Sequence, residues 1–156
     1  MAELVAREEV LVSVEFHAFA LQEEDDMGVS APFPEERAEA PGAGFLTVYD
    51  KRLDFESGGH THEAALTAEV WGSEPSLSGD VRWETQGEAE IFSTTGNLSV
   101  ETMSGVSEGR VELGRPNSLW KVRAVCSGRS EAARLASVDV PVGVERYLVQ
   151  FWPAGT

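Results

Sequence analysis

An all-β fold, specifically an antiparallel β-sandwich of about eight strands with one long acidic loop, is what three observations in the sequence predict. Apolar and polar residues alternate over short stretches, as at Val10, Val12, Val14 and Phe16. Turn signals rich in glycine and proline recur between those stretches. Apolar residues at helical spacing are confined to one short segment, which disfavours a parallel sheet built with crossover helices. At 156 residues the chain suits one domain spanning 1–156, large enough for a core without disulfide or metal staples.

The first strand falls in residues 9–21. Val10, Val12, Val14 and Phe16 share one face there, with Ser13, Glu15 and His17 on the other. The apolar set then moves to Phe19 and Leu21. In a regular strand that phase change would expose them, so a bulge is expected near His17 and Ala18. Residues 22–44 open with Glu23-Glu24-Asp25-Asp26 and continue into APFPEERAEAPGAG, whose three prolines exclude a regular helix or central strand. A long mobile acidic loop is the reading, with Glu35, Glu36 and Glu39 extending its charge.

Strands follow at FLTVYD (45–50) and AALTAEVW (64–71), with ESGGH as a turn between them. EAEIFSTT and LSVETM flank Gly96-Asn97, a dipeptide that tolerates positive φ and suits a two-residue hairpin. SLWKVRAVCSG and ERYLVQFW supply two further strands, and SEAARLAS at most a short helical turn. Cys126 is the only cysteine, so no intrachain disulfide forms, and its place in an alternating strand marks a buried thiol. Trp71, Trp120 and Trp152 read as core mass. Trp83 lies among charged neighbours in DVRWETQGEAE, the setting of a partly exposed interface anchor.

The chain has 27 acids against 12 bases, a net charge of −15. Most of the acids precede residue 110, and residues 110–135 carry a basic excess. Such a field repels phosphate polymers, so direct nucleic-acid binding is excluded as the expectation and a cationic protein is the favoured partner. An acidic surface also serves solubility. No apolar run reaches the length of a membrane-spanning helix, and the N-terminal stretch lacks the basic region of a signal peptide, so membrane insertion is not expected and a cytoplasmic setting is.

Catalytic signatures are sparse. There is no G-x-S-x-G elbow and no phosphate-cradling glycine loop, and the reading is a non-catalytic binding protein without a cofactor. The competing reading is a metal- or small-ligand-binding barrel, enzyme or sensor. In GGHTHEAALTAE, His60, His62 and Glu63 are suitable metal donors, and an HxH pair on a strand projects from one face. The acid does not stand at the spacing that cupins use, and no histidine lies in the C-terminal half. A third reading is a module that forms homo-oligomers by sheet-edge pairing.

Five segments in order, VSVEFHAFALQ, GGHTHEAALTAEVWGSEP, EAEIFSTTGNLSVETM, LWKVRAVCSG and ERYLVQFWPA, resemble the competence protein J family and related actinobacterial proteins. The family comprises small acidic bacterial proteins that inhibit a DNA-entry nuclease, and the resemblance covers most of residues 10–154 outside the acidic loop. It implies a partner whose cationic cleft normally meets a phosphate backbone. Carboxylates placed where phosphates would sit could occupy that cleft, with Glu23, Glu24, Asp25 and Asp26 as the densest display, Glu35, Glu36 and Glu39 as its extension, and Trp83 as an anchor.

Overall fold

The computed structural model describes residues 2–25, 27, 29, 32–34, 44–77, 79 and 81–155. Two five-stranded sheets face one another. The first has the order β1 (Leu4–Val14), β5 (His62–Trp71), β10 (Val142–Pro153), β9 (Ser118–Ser127), β6 (Thr85–Ser93). The second has the order β3 (Leu46–Tyr49), β4 (Arg52–Glu56), β2 (Ala18–Glu23), β7 (Asn97–Thr102), β8 (Gly105–Glu112). A helix, α1 (Arg129–Ala136), links β9 to β10. The predicted all-β sandwich is the fold observed. Among the described residues it has ten strands, because the segment expected as one strand over 9–21 is two, β1 and β2, and because β4 and β8 add to those expected.

Alternating side chains from the two inner faces build the core. Phe19 stacks on Phe55 at 5.0 Å, and Tyr147 meets Phe19 edge-on at 5.0 Å. Val12, Leu21, Leu53, Leu66, Val100, Trp120 and Phe151 fill the remainder. Burying each such side chain contributes about 1.5–3 kcal/mol, which makes the inner faces the main source of stability. Trp152 is buried as well, and Trp71 and Trp83 are half-buried. Cys126 is a fully buried free thiol, as its strand position predicts.

Several expectations are corrected. The phase change after Phe16 is not a bulge: β1 and β2 belong to different sheets, and the chain turns between them at Phe16 (φ 55°) and His17 (φ 63°). Positive φ at both central residues is the pattern of a type I′ turn, closed here by the Ala18 amide donating to the Glu15 carbonyl at 3.1 Å. Val14 and Phe19 then face the same core from opposite sheets, and both are fully buried. The left-handed conformation costs an L-residue roughly 1–2 kcal/mol.

Gly96-Asn97 does not form a hairpin either. β6 pairs with β9, β7 pairs with β2 and β8, and the intervening residues carry the chain from one sheet to the other. Gly96 has φ +83°, and a Cβ there would lie 2.8 Å from the Arg115 carbonyl oxygen. Third, β5 and β10 run parallel in an otherwise antiparallel sandwich. The pair is buried on its inner face, and its outer face carries a hydrogen-bonded row that links three strands. Arg123 donates to Gln150 Oε1 at 2.9 Å, Gln150 donates to Glu69 at 3.1 Å, and the Trp71 indole donates to Glu69 at 3.0 Å. Arg123 also donates to the Pro75 carbonyl, tying Pro75 to this face.

On the second sheet, strand β2 extends through Gln22 and Glu23, which were expected to begin the loop. The Phe33 amide donates to Gln22 Oε1 at 2.8 Å, and the Phe33 ring is buried with Ala18 and Ala20 on the outer face.

Candidate functional site

The acidic turn after β2 separates into unlike residues. Glu23 is fully buried: its carboxylate accepts from the Ser93 hydroxyl at 2.6 Å, from the Thr95 hydroxyl at 3.0 Å and from the amides of Thr95 and Asp25. Burial pushes its pKa up, but these hydrogen bonds outweigh that and hold the carboxyl below its ordinary value. Glu23 therefore anchors the β6–β7 crossover and is not part of an exposed display. Glu24 is exposed and lies 3.5 Å from Arg110, and Asp25 caps the Met27 amide at 3.2 Å. Asp26, Glu35, Glu36 and Glu39 lie outside the described residues. Trp83 is half-buried in the segment before β6, with its indole N–H enclosed.

The three metal candidates do not converge. His62 opens β5 and points into the molecule, Glu63 follows on the opposite face, and His60 sits exposed in the preceding turn. Among the described residues, no group of three His, Cys, Asp or Glu side chains is placed to hold a metal ion.

His62 instead joins a buried polar cluster that sequence reasoning did not assemble. The Ser57 hydroxyl donates to Glu145 Oε1 at 2.7 Å and lies 2.7 Å from His62 Nε2. The Gly58 amide donates to Glu145 Oε2 at 2.7 Å. A hydroxyl has one proton, and here it is donated in the hydrogen bond to Glu145, so His62 Nε2–H must donate to Ser57 Oγ. That order is the reverse of a nucleophilic triad, in which the histidine removes the serine proton. Serine, histidine and acid are all buried, so the cluster positions backbone instead of attacking a substrate. Burial holds the His62 pKa below its ordinary value, against the pull of nearby Glu145. The visible sequence signal was Ser57-Gly58-Gly59. A Cβ on Gly59 would lie 2.7 Å from His62 Cδ2, so only glycine lets this backbone approach the ring.

The cluster supports the β1–β2 corner. The Ser57 amide donates to the His17 carbonyl at 2.7 Å, the His17 amide donates to the His60 carbonyl at 3.0 Å, and His17 Nδ1–H donates to the Ser57 carbonyl at 3.1 Å. The His60 ring then meets Phe16 at 5.0 Å and His17 at 5.2 Å, edge to face in both cases. On the neighbouring strand hairpin, Ser104 Oγ donates to Glu15 at 2.5 Å.

Two five-stranded sheets joined at such corners, with a parallel pair inside one of them, define the class: an all-β sandwich. The fold is similar over 99% of both chains to that of ComJ, inhibitor of the DNA degrading activity of NucA, from Bacillus subtilis, with a TM-score of 0.65 and 16% identity. It is similar also to the protein of crocagin biosynthetic gene J, with a TM-score of 0.64 and 14% identity over 96% of this chain and 99% of that one. Neither a family model nor a curated protein sequence matches the chain. Among the described residues, no helix is long and apolar enough to cross a membrane.

Proposed function

We propose that this protein is a non-catalytic binding protein that inhibits or regulates a basic partner protein, a nuclease in the first instance. The observation that carries this reading is the full-length fold similarity to an inhibitor of a DNA-degrading enzyme. The net charge of −15 supports it physically, because a nuclease must hold a phosphate backbone in a cationic cleft, and an acidic protein is drawn to that cleft in place of DNA. Glu24 and Asp25, together with Asp26, Glu35, Glu36 and Glu39, supply long-range attraction in this reading, and Trp83 an anchor. The expected setting is the cytoplasm.

The test is DNA degradation by NucA, and by the nuclease most similar to NucA in the cells that make this protein, titrated with the purified chain. Inhibition that weakens at least tenfold between about 50 and 300 mM salt is expected, since charges exposed to solvent are screened beyond roughly 10 Å at 0.1 M. Full nuclease activity at a large molar excess of the chain at low salt would reject the nuclease reading.

A further inference from the structure

The β1–β2 corner is an unusual turn for its residue types. Two consecutive non-glycine residues hold positive φ, and one of them is a phenylalanine, for which that conformation is an outlier. Backbone of this kind persists where its surroundings over-determine it, and such sites concentrate at binding surfaces. Here the surroundings are the hydrogen bonds from Ser57, His60 and Ser104, backed by buried Glu145. They present the Phe16 ring at the tip of the turn, 56% exposed, with the exposed His60 ring against it.

A second exposed apolar group lies at the same end of the sandwich. Val138, Val140 and Val142, in the segment that returns from α1 to β10, are 82%, 58% and 57% exposed. The segment is pinned to the start of β5 by the Glu63 amide donating to the Pro141 carbonyl at 3.0 Å, and a cleft running between Val140, Thr61 and Glu15 joins it to the corner. Single exposed valines are ordinary, but Val140 lines the same cleft as Glu15, the neighbour of Phe16, so an exposed ring and an exposed valine flank one recess. Glu15 and Glu63 line that cleft and Asp139 immediately precedes Val140, which gives this end an acidic rim.

We infer that this end of the sandwich, centred on Phe16 and Val140, is the short-range docking surface for the basic protein partner, whose contact area combines an apolar centre with surrounding cationic side chains. The inference rests on the function proposed above and adds the place of contact. Interfaces commonly concentrate their energy in a few aromatic anchors enclosed by a polar rim, while charges farther away govern the encounter rate. The acidic turn at Glu24 and Asp25 lies beyond the other end of β2 and suits the second task. A second copy of this chain is a poor occupant, because it would bring the same acids face to face on a molecule of charge −15.

The experiment replaces Phe16 with photoreactive benzoyl-phenylalanine in the full chain, in the cells that make the protein, with the same probe at Leu4 near the opposite end of β1 as the control. The expected result is an adduct from position 16 to a protein that mass spectrometry identifies as net basic, absent from position 4. That protein, purified, should bind Phe16→Asn and Val140→Asp at least tenfold more weakly than the parent. Asparagine accepts positive φ readily, so Phe16→Asn should keep or raise the melting temperature, and a purely structural role for Phe16 predicts unchanged binding. No adduct at position 16, the same adduct at both positions, an adduct to a second copy of the chain, or unchanged affinity of both variants overturns the inference. A net-basic partner that is not a nuclease upholds the surface and rejects only the nuclease reading.

Discussion

Ser57 stands between His62 and Glu145: the imidazole nitrogen and the carboxylate oxygen are 3.7 Å apart, and the hydroxyl lies 2.7 Å from each. It thereby serves two buried groups at once, and removing it leaves both short of a partner. Ser57→Ala is expected to destabilise the fold by about 2–3 kcal/mol, read as a shift in the urea midpoint, because an unpaired buried donor beside a buried carboxylate costs more than a neutral hydrogen bond contributes. A change below about 0.5 kcal/mol would show that the hydroxyl does not hold the pair together.

Acid should destabilise the protein through two groups whose losses begin at different pH. The His62 pKa is lowered in the folded state, so below 6.5 the unfolded chain takes up a proton that the folded chain resists, and stability falls as pH drops from 6.5 towards the folded value. Glu23 is also lowered, but as an acid: its contribution is complete above 4.5 and is lost as pH falls through its folded value. Chemical denaturation across pH 7.5–3.5 should show both losses. His62→Gln should flatten the loss that begins at the higher pH and leave the other, and Glu23→Gln should do the reverse.

Gly59 is kept small by His62 rather than by its own backbone angle. Gly59→Ala forces the ring or the turn to move and should cost about 1–3 kcal/mol, the usual range for overpacking. Thermal melting checks this. An unchanged melting temperature would mean that the turn has room the structure does not show.

The Cys126 thiol is sealed in β9. Burial and the neighbouring Glu145 carboxylate push its pKa far above the ordinary value. A thiol reagent such as Ellman's should therefore label native protein only at the rate of unfolding and should label urea-unfolded protein at once. Rapid labelling of the native state would place the thiol at the surface.

The Glu23 and His62 outcomes show where sequence reading stops. Both residues belong to motifs that stand out in the sequence, and both motifs suggest outward roles. Glu23 is acidic in a run of four acids, which in sequence looks like solvated charge, yet the alternation that buries Phe19 and Leu21 continues through it and delivers its carboxylate to Ser93 and Thr95. His62 shares an HxH motif with His60, but β5 begins at His62, so no strand aligns the two rings on one face.

Period-two alternation, turn residues and the lone cysteine were enough to determine a β-sandwich with Cys126, Trp120 and Trp152 inside, since those patterns depend only on local backbone geometry and on the cost of wetting apolar side chains. Which sheet each strand joins was decided by tertiary structure alone. Whether a phase change is a bulge or a corner, and whether a Gly-Asn step closes a hairpin or crosses between layers, depends on partners distant in the chain. The buried Ser57–His62–Glu145 cluster arises for the same reason: Glu145 lies 88 residues beyond Ser57, and only packing β10 beside β5 brings their hydrogen bonds within reach.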